Sequence, residues 1–403
     1  MPSSSIRVRS LCDSKVVSVQ VRLAGGSRTE QVPGQASITG RMLAEGSQRC
    51  DWRQIAEQAE DLGMSITAFG GLETIGVAIE ALAQDWERAV EWAAELVLEP
   101  SFPQDRFEWL VQQNSAELCS LGDQPDVRTG WEFLHQLYHP HPRSRPVLGT
   151  LEGLASLEKG ACTRFWRESL SSCRIVTICG GFEDEDRVRA RVESLFGHLS
   201  PGGSEQLVAA PRGDGRAHRK VSIPGADQAH LYAGHLTIPR TDPDLPAMQV
   251  LSVILDSGSV LSGRLPRRLR EREGLAYVAS ASAAAGAGLD PGRFVVYLGT
   301  AVENLERAES YVREEIDLLI SHGVTEREVE EAKSYLIGRE PFRRETARQW
   351  AELLAEAELY GEPVDRPEWC TNRWRQVSRE GVEAAARRHL RPAEIKVTVG
   401  MPS

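Results

Sequence analysis

No uninterrupted apolar run of about 18 residues, the length a membrane-spanning helix needs, occurs in this 403-residue chain. Its opening, MPSSSIRVRSLCDSKVV, lacks the apolar stretch of a secretory signal, and a cytoplasmic location is the resulting expectation. Basic charge is also short: Lys and Arg number 47 against 58 Asp and Glu, a net charge of −11. Nucleic acid and anionic membrane surfaces want a basic face, so neither is expected as a partner. An acidic balance suits cationic peptides, and it is equally a common route to solubility. The seven cysteines, Cys12, Cys50, Cys119, Cys162, Cys173, Cys179 and Cys370, are odd in number and have no metal-ligand spacing. Buried, reduced thiols are expected. The phosphate-loop pattern GxxxxGK[ST] is missing as well.

What remains is ordinary globular composition, 41% hydrophobic and 26% charged, in a chain too long for one compact core. A weak internal duplication organises it. Strands are expected around 16–23, 64–69 and 75–79, followed by a helix near 85–98. The order returns as strands near 229–238, 277–283 and 294–298 and a helix near 304–321. DWERAVEWAAELV aligns with NLERAESYVREEI, LGMSITA with EGLAYVA, and TGRML with SGRLP. The spacing predicts an α+β protein of two homologous domains, residues 1–205 and 220–403, each a largely antiparallel sheet packed by helices. Residues 206–219, rich in Gly, Pro and charge, are the expected linker.

The stretch SGRLPRRLREREGLAY, from 262 to 277, carries the most chemistry. Leu261, Leu265 and Leu269 follow helical spacing among basic residues, Gly274 breaks the pattern, and an extended run begins at Ala276. Arg270 then falls on the last helical turn and Tyr277 early in a strand. Two fixed donors so placed can converge on a carbonyl and stabilise the oxyanion formed from it. The plainer reading is a surface Arg capping a helix end and a Tyr half-buried in a sheet. The remaining arginines of the run, interleaved with Glu271 and Glu273, read as solvated or paired.

RLPRRLREREGLAY resembles the second-half signature of the pitrilysin-like (M16) zinc metallopeptidases and the mitochondrial processing peptidases, typically RLxxxLREKxGLAY. VVSVQVRLAGGSRTE resembles that family's first strand and turn. AQDWERAVEWAAELVLEPSFPQDRFE is similar to its long helix and the P-x-F turn, and HPRSRPVLGTLEGLASL to its HPYGRPVLGT loop. These pieces are collinear over nearly the whole chain. The resemblance implies LuxS/MPP-like αβ sandwich domains, with Arg270 and Tyr277 contacting the scissile carbonyl. It assigns DSGSVLSG to the turn before the Arg-bearing helix, where Gly258, Ser259 and Gly263 are candidate substrate contacts. It also makes 64–69 an edge strand to which peptides add in active subunits.

Active members carry an inverted zinc motif, HxxEH, ahead of a hydrophobic pair and a G-[ST] turn. Met42, Leu43, Gly46 and Ser47 fit that flank, which puts Ser37 and Arg41 at the two histidine positions and Gly40 at the general base. A hydroxyl is a poor zinc ligand and a permanent guanidinium repels the cation. Glu117 falls 76 residues after Arg41, at the family's third-ligand position, and is alone there. The chain is therefore expected to hold no metal and to be inactive by itself. The resemblance implies a non-catalytic subunit of a two-chain M16 peptidase. Zinc would sit in a partner of similar length, and Arg270 and Tyr277 would act on peptide bound there. The alternative is an inactive M16-like subunit with a structural or assembly role. His139 and His141 read as loop residues. His230 and His235, an odd number apart on a strand, point to opposite faces and cannot share a metal.

Overall fold

A computed structural model describes residues 5–172, 174–197, 215–256, 263–363 and 365–403; the side chain of Tyr277 also lies outside what is described. The chain forms two compact units. One comprises Met1–Cys119, Arg145–Val208 and Phe342–Arg366; the other comprises Ser120–Ser144, Ala209–Pro341 and Pro367–Ser403. The expected linker at 206–219 falls mostly outside the described residues.

The first unit is built on β1 (Ser5–Ser10), β2 (Val16–Ala24), β3 (Ser65–Gly70), β4 (Thr74–Leu82) and β5 (Arg174–Gly180), ordered β1-β5-β2-β4-β3. Only β1–β5 is parallel; the other three pairings are antiparallel. VVSVQVRLA in β2 is buried almost throughout, as a central strand covered on both faces must be. Helix Trp86–Leu98 packs on one side of it and helix Ala347–Tyr360 is also packed against it. Thr177 donates a hydrogen bond to the Ala351 carbonyl at 3.0 Å, tying that helix to β5.

The second unit repeats the plan with β6 (Ala217–Ile223), β7 (Ala229–Leu236), β8 (Ala276–Ala285), β9 (Arg293–Thr300) and β10 (Lys396–Pro402), ordered β6-β10-β7-β9-β8. Again a single pairing, β6–β10, is parallel. The duplication is thus carried by connectivity: in each sheet the last strand inserts beside the first. Leu231, Phe294, Val296 and Leu298 on one sheet face pack with Met248, Leu251 and Leu255 of helix Leu245–Leu255. Helix Pro125–Tyr138 lies on β7 and β10, where Phe133 stacks on Tyr232 with ring centroids 5.6 Å apart.

One expected correspondence does not hold. The echo of TGRML in SGRLP equates the helix holding Arg41 with the helix holding Arg270. By element order, helix Gln35–Met42 is the first after β2 and corresponds to helix Leu245–Leu255, the first after β7. Both pack on an outer strand of their sheet, β3 or β8. The Arg270 turn corresponds instead to helix Trp52–Asp61, each followed directly by that outer strand. A short Gly-Arg-apolar string, which closes helix Gln35–Met42 but opens the helix at Arg264, recurs too easily to fix such a register.

The cysteines also depart in part from expectation. Those described are free, but Cys12 and Cys119 are exposed; only Cys162 and Cys179 are buried. Burial pushes their thiols up, to about 11 and about 12. Both remain protonated and chemically quiet. No described helix is long and apolar enough to cross a membrane.

Candidate functional site

Helix Gln35–Met42 carries the three degenerate positions, and nearly every residue of it is buried. Its left-handed Gly34 leaves the first turn without a side-chain cap of its own. Glu30 supplies the missing acceptor: its carboxylate takes the amides of Gly34 at 3.2 Å and Ala36 at 3.1 Å. Burial pushes the Glu30 carboxyl up to about 7, against the pull of those amides and of Arg145.

Ser37 is buried and accepts a 2.9 Å hydrogen bond from the Asn114 amide nitrogen. Arg41 donates to the Asn114 side-chain oxygen and lies 3.6 Å from a Glu117 carboxylate oxygen. The two ends of the degenerate motif are therefore joined through Asn114, which is fully buried on helix Gln104–Gly122. Asn114 was missed in the sequence. Its signal was its place one helical turn before Glu117, on the same face. The arrangement puts a fixed guanidinium among oxygen acceptors, where an active relative would be expected to hold a divalent cation.

Gly40 closes the site sterically. A β carbon there would lie 2.1 Å from the Phe69 carbonyl oxygen of β3, and one on Gly70 would lie 2.1 Å from the Ala36 oxygen. Helix and strand meet backbone to backbone, so a glutamate at position 40 has nowhere to go. The residues present do not fit a catalytic zinc: the donors are a hydroxyl, a carboxamide and one half-exposed carboxylate, with a permanent cation already among them.

In the second unit, Arg264–Pro266 opens a short helix that widens into a π-helical turn, Arg267–Arg272. Gly263, buried, sits at its N-cap and its carbonyl accepts from Arg267 N at 3.1 Å. Gly258 and Ser259 lie outside the described residues. Leu265 and Leu269 are fully buried and anchor the turn. Gly274, at φ 62°, reverses the chain so that Leu275 N reaches the Leu269 carbonyl at 2.8 Å. Arg270 is left exposed at the end of this anchored turn.

Seven residues on, Tyr277 occupies a β-bulge. Ala276 pairs with Thr300 and Val278 with Gly299, so Tyr277 is the extra residue of β8. Bulges of this kind redirect a strand locally and recur beside functional sites. Arg270 and Tyr277 are thus brought to one turn-to-strand junction.

The other sequence candidates have structural partners. His230 pairs with the Tyr297 hydroxyl at 3.0 Å. His235 bonds the Leu236 carbonyl at 2.9 Å through Nδ1 and accepts Arg391 N at 3.0 Å through Nε2. Buried His141 lies 3.5 Å from Asp290 and accepts Arg143 N at 3.1 Å. One cluster had no sequence signal: Asp242, Asp244 and His389 bring their polar atoms within 4.8 Å of one another. His389 at 2.7 Å and Arg388 already converge on the same Asp244 oxygen, which makes it an internal ion cluster.

Comparisons with known proteins agree with this geometry. Residues 8–150 match the family model described as insulinase (peptidase family M16), and residues 157–336 match the one described as peptidase M16 inactive domain. The chain belongs to the M16 peptidase family. An uncharacterized zinc protease of Mycobacterium leprae is 29% identical over 352 residues, 85% of this chain and 78% of the relative. A non-peptidase homolog of Helicobacter pylori is 24% identical over 326 residues, 80% of this chain and 74% of the relative. A crystal structure described as a peptidase M16 inactive domain from Pseudomonas fluorescens has the same fold, with a TM-score of 0.88 at 22% identity over 100% of this chain and 96% of that one. Within the family, this chain is an M16-like protein lacking the residues of the zinc motif.

Proposed function

We propose that this chain is the zinc-free subunit of a two-chain M16 peptidase, lending Arg270 and Tyr277 to a zinc site on a partner of similar length. The observation that carries the reading is an asymmetry. The zinc position is filled by Arg41 and Asn114 and closed by Gly40, whereas Arg270 stays exposed on a turn held by two buried leucines and Gly274.

In this account a zinc held by the partner would supply Lewis acidity toward water and the scissile carbonyl of a bound peptide. Arg270 and Tyr277 donate hydrogen bonds to the oxygen as it becomes an anion, where such donors are strongest. Gly263, at the N-cap of the same turn, would steady the peptide, together with the sequence candidates Gly258 and Ser259. The cytoplasmic location expected from the sequence belongs to this reading too. The name given to the Helicobacter relative, a non-peptidase homolog, is consistent with a member that does not cleave by itself.

Co-expression with a zinc-bearing M16 chain, followed by size-exclusion chromatography, tests the pairing. The expected product contains both subunits at near twice the 44.5 kDa mass of this chain. A chain that stays alone or only self-pairs beside such a partner would leave the structural or assembly role.

A further inference from the structure

Between Arg270 and Tyr277 lies Leu275, whose backbone is held at both ends. Its amide donates to the Leu269 carbonyl at 2.8 Å, and Leu269 is joined directly to Arg270. Its carbonyl accepts from the Thr300 hydroxyl at 2.5 Å. Its side chain is buried too. Leu275 therefore links the turn that presents Arg270 to the last residue of β9, two positions ahead of Tyr277.

The strand ends explain why a side chain supplies that bond. Thr300 closes β9 and is fully buried between Ala276 of β8 and Ala229 of β7. The β8–β9 ladder starts at the Ala276–Thr300 pair, so Leu275 lies one residue outside it. The next pair is Val278 with Gly299, which skips Tyr277. The bulge is thus bracketed, by the Thr300–Leu275 bond on one side and by the resumed ladder on the other. A bulge re-aims the strand locally, and the direction it takes is only as fixed as the residues that flank it.

A threonine in a strand is common, and a buried hydroxyl must find an acceptor. Packing by itself would be served by valine, which has the same shape without the hydroxyl. The acceptor is what distinguishes Thr300: it is the carbonyl of the residue whose amide already holds the Arg270 turn.

We propose that Thr300 is a positioning residue for Arg270 and Tyr277: through Leu275 it locks the bulge to the turn and sets the spacing of the two donors. The inference rests on the function proposed above, and Thr300 acts through Leu275, without touching peptide. Thr300→Val removes the hydroxyl and keeps the shape, whereas Thr300→Ser keeps the hydroxyl. In the isolated chain, hydrogen exchange should quicken in Thr300→Val on the order of fivefold or more over residues 269–278 and stay unchanged over 294–298. Thr300→Ser should exchange like the wild type. In the mixed complex, Thr300→Val should lower kcat on the order of tenfold with KM nearly unchanged, because misaimed donors weaken the transition state more than they weaken peptide binding. Thr300→Ser should restore it. A threonine that only packs would raise exchange throughout or leave kcat intact. Unchanged exchange over 269–278, or full kcat in Thr300→Val while Tyr277→Phe lowers it, overturns the inference and leaves the proposed function standing. Full kcat in both Thr300→Val and Tyr277→Phe overturns that function, and the inference with it.

Discussion

Ser37 and Arg41, assigned from the sequence to the motif's two histidine positions, share one buried partner, Asn114. Here a carboxamide satisfies the Ser37 hydroxyl and the Arg41 guanidinium together, and Glu117 balances the charge. Restoring the motif letters should therefore fail. The triple variant Ser37→His, Gly40→Glu, Arg41→His is expected to bind no stoichiometric zinc by metal analysis, because the new side chain at 40 collides with the Phe69 carbonyl. One tightly held zinc per chain would contradict this account of the site. Ser37, Gly40 and Arg41 are assigned from an apolar flank in the sequence, and all three lie on helix Gln35–Met42. Asn114 was not legible there, because nothing local announces which residue of a helix more than 70 positions away will face them.

Glu30 gives a pH prediction at the same scale. Its folded carboxyl titrates near 7 against an ordinary 4.5, so the folded state holds the proton more tightly than the unfolded one. The contribution is complete below pH 4.5 and is lost as pH rises through 7, a decline on the order of 3 kcal/mol. Glu30→Gln keeps an acceptor for Gly34 and Ala36 but carries no charge. Denaturant unfolding should show the variant losing less stability than the wild type between pH 5 and 8. Parallel curves for the two proteins would remove Glu30 as the cause.

Among the elements, the closest approach is that of helix Gln35–Met42 to β3. Gly40→Ala adds one methyl at a point with no room, and overpacking of this kind costs about 1–3 kcal/mol. A fall in thermal midpoint is expected, and an unchanged midpoint would mean that the helix moves freely off the strand. On β8 the amides of Ala281 and Ala283 are taken by Asp256 at 3.1 Å and by Ser252 at 2.8 Å, which blunts that edge. Strands β2, β4, β7 and β9 were legible because their apolar content is dense. β6, AHRKVSI, was not: it is exposed along most of its length and offers no alternation to read. The π-helical character of the Arg270 turn was equally hidden, since Leu265 and Leu269 fit an α-helix as well.

Over the whole molecule, the duplication is clearest in connectivity, where two sheets share one strand order although their sequences echo only in short strings. Chain order misleads about which helix belongs to which unit. Pro125–Tyr138 is grouped with the second unit and Ala347–Tyr360 with the first, and long-range packing of this sort has no local signature. In one half Ser37 and Arg41 are paired through Asn114 and Gly40 meets β3 backbone to backbone; in the other Arg270 is exposed beside the Tyr277 bulge. The most direct measurement is kcat of the mixed complex with Arg270→Ala and, separately, Tyr277→Phe, alongside its zinc content and assembly. Loss of one oxyanion donor is expected to lower kcat on the order of 100- to 1,000-fold, with zinc and assembly unchanged. Full activity with both substitutions would contradict the account and leave this chain a scaffold.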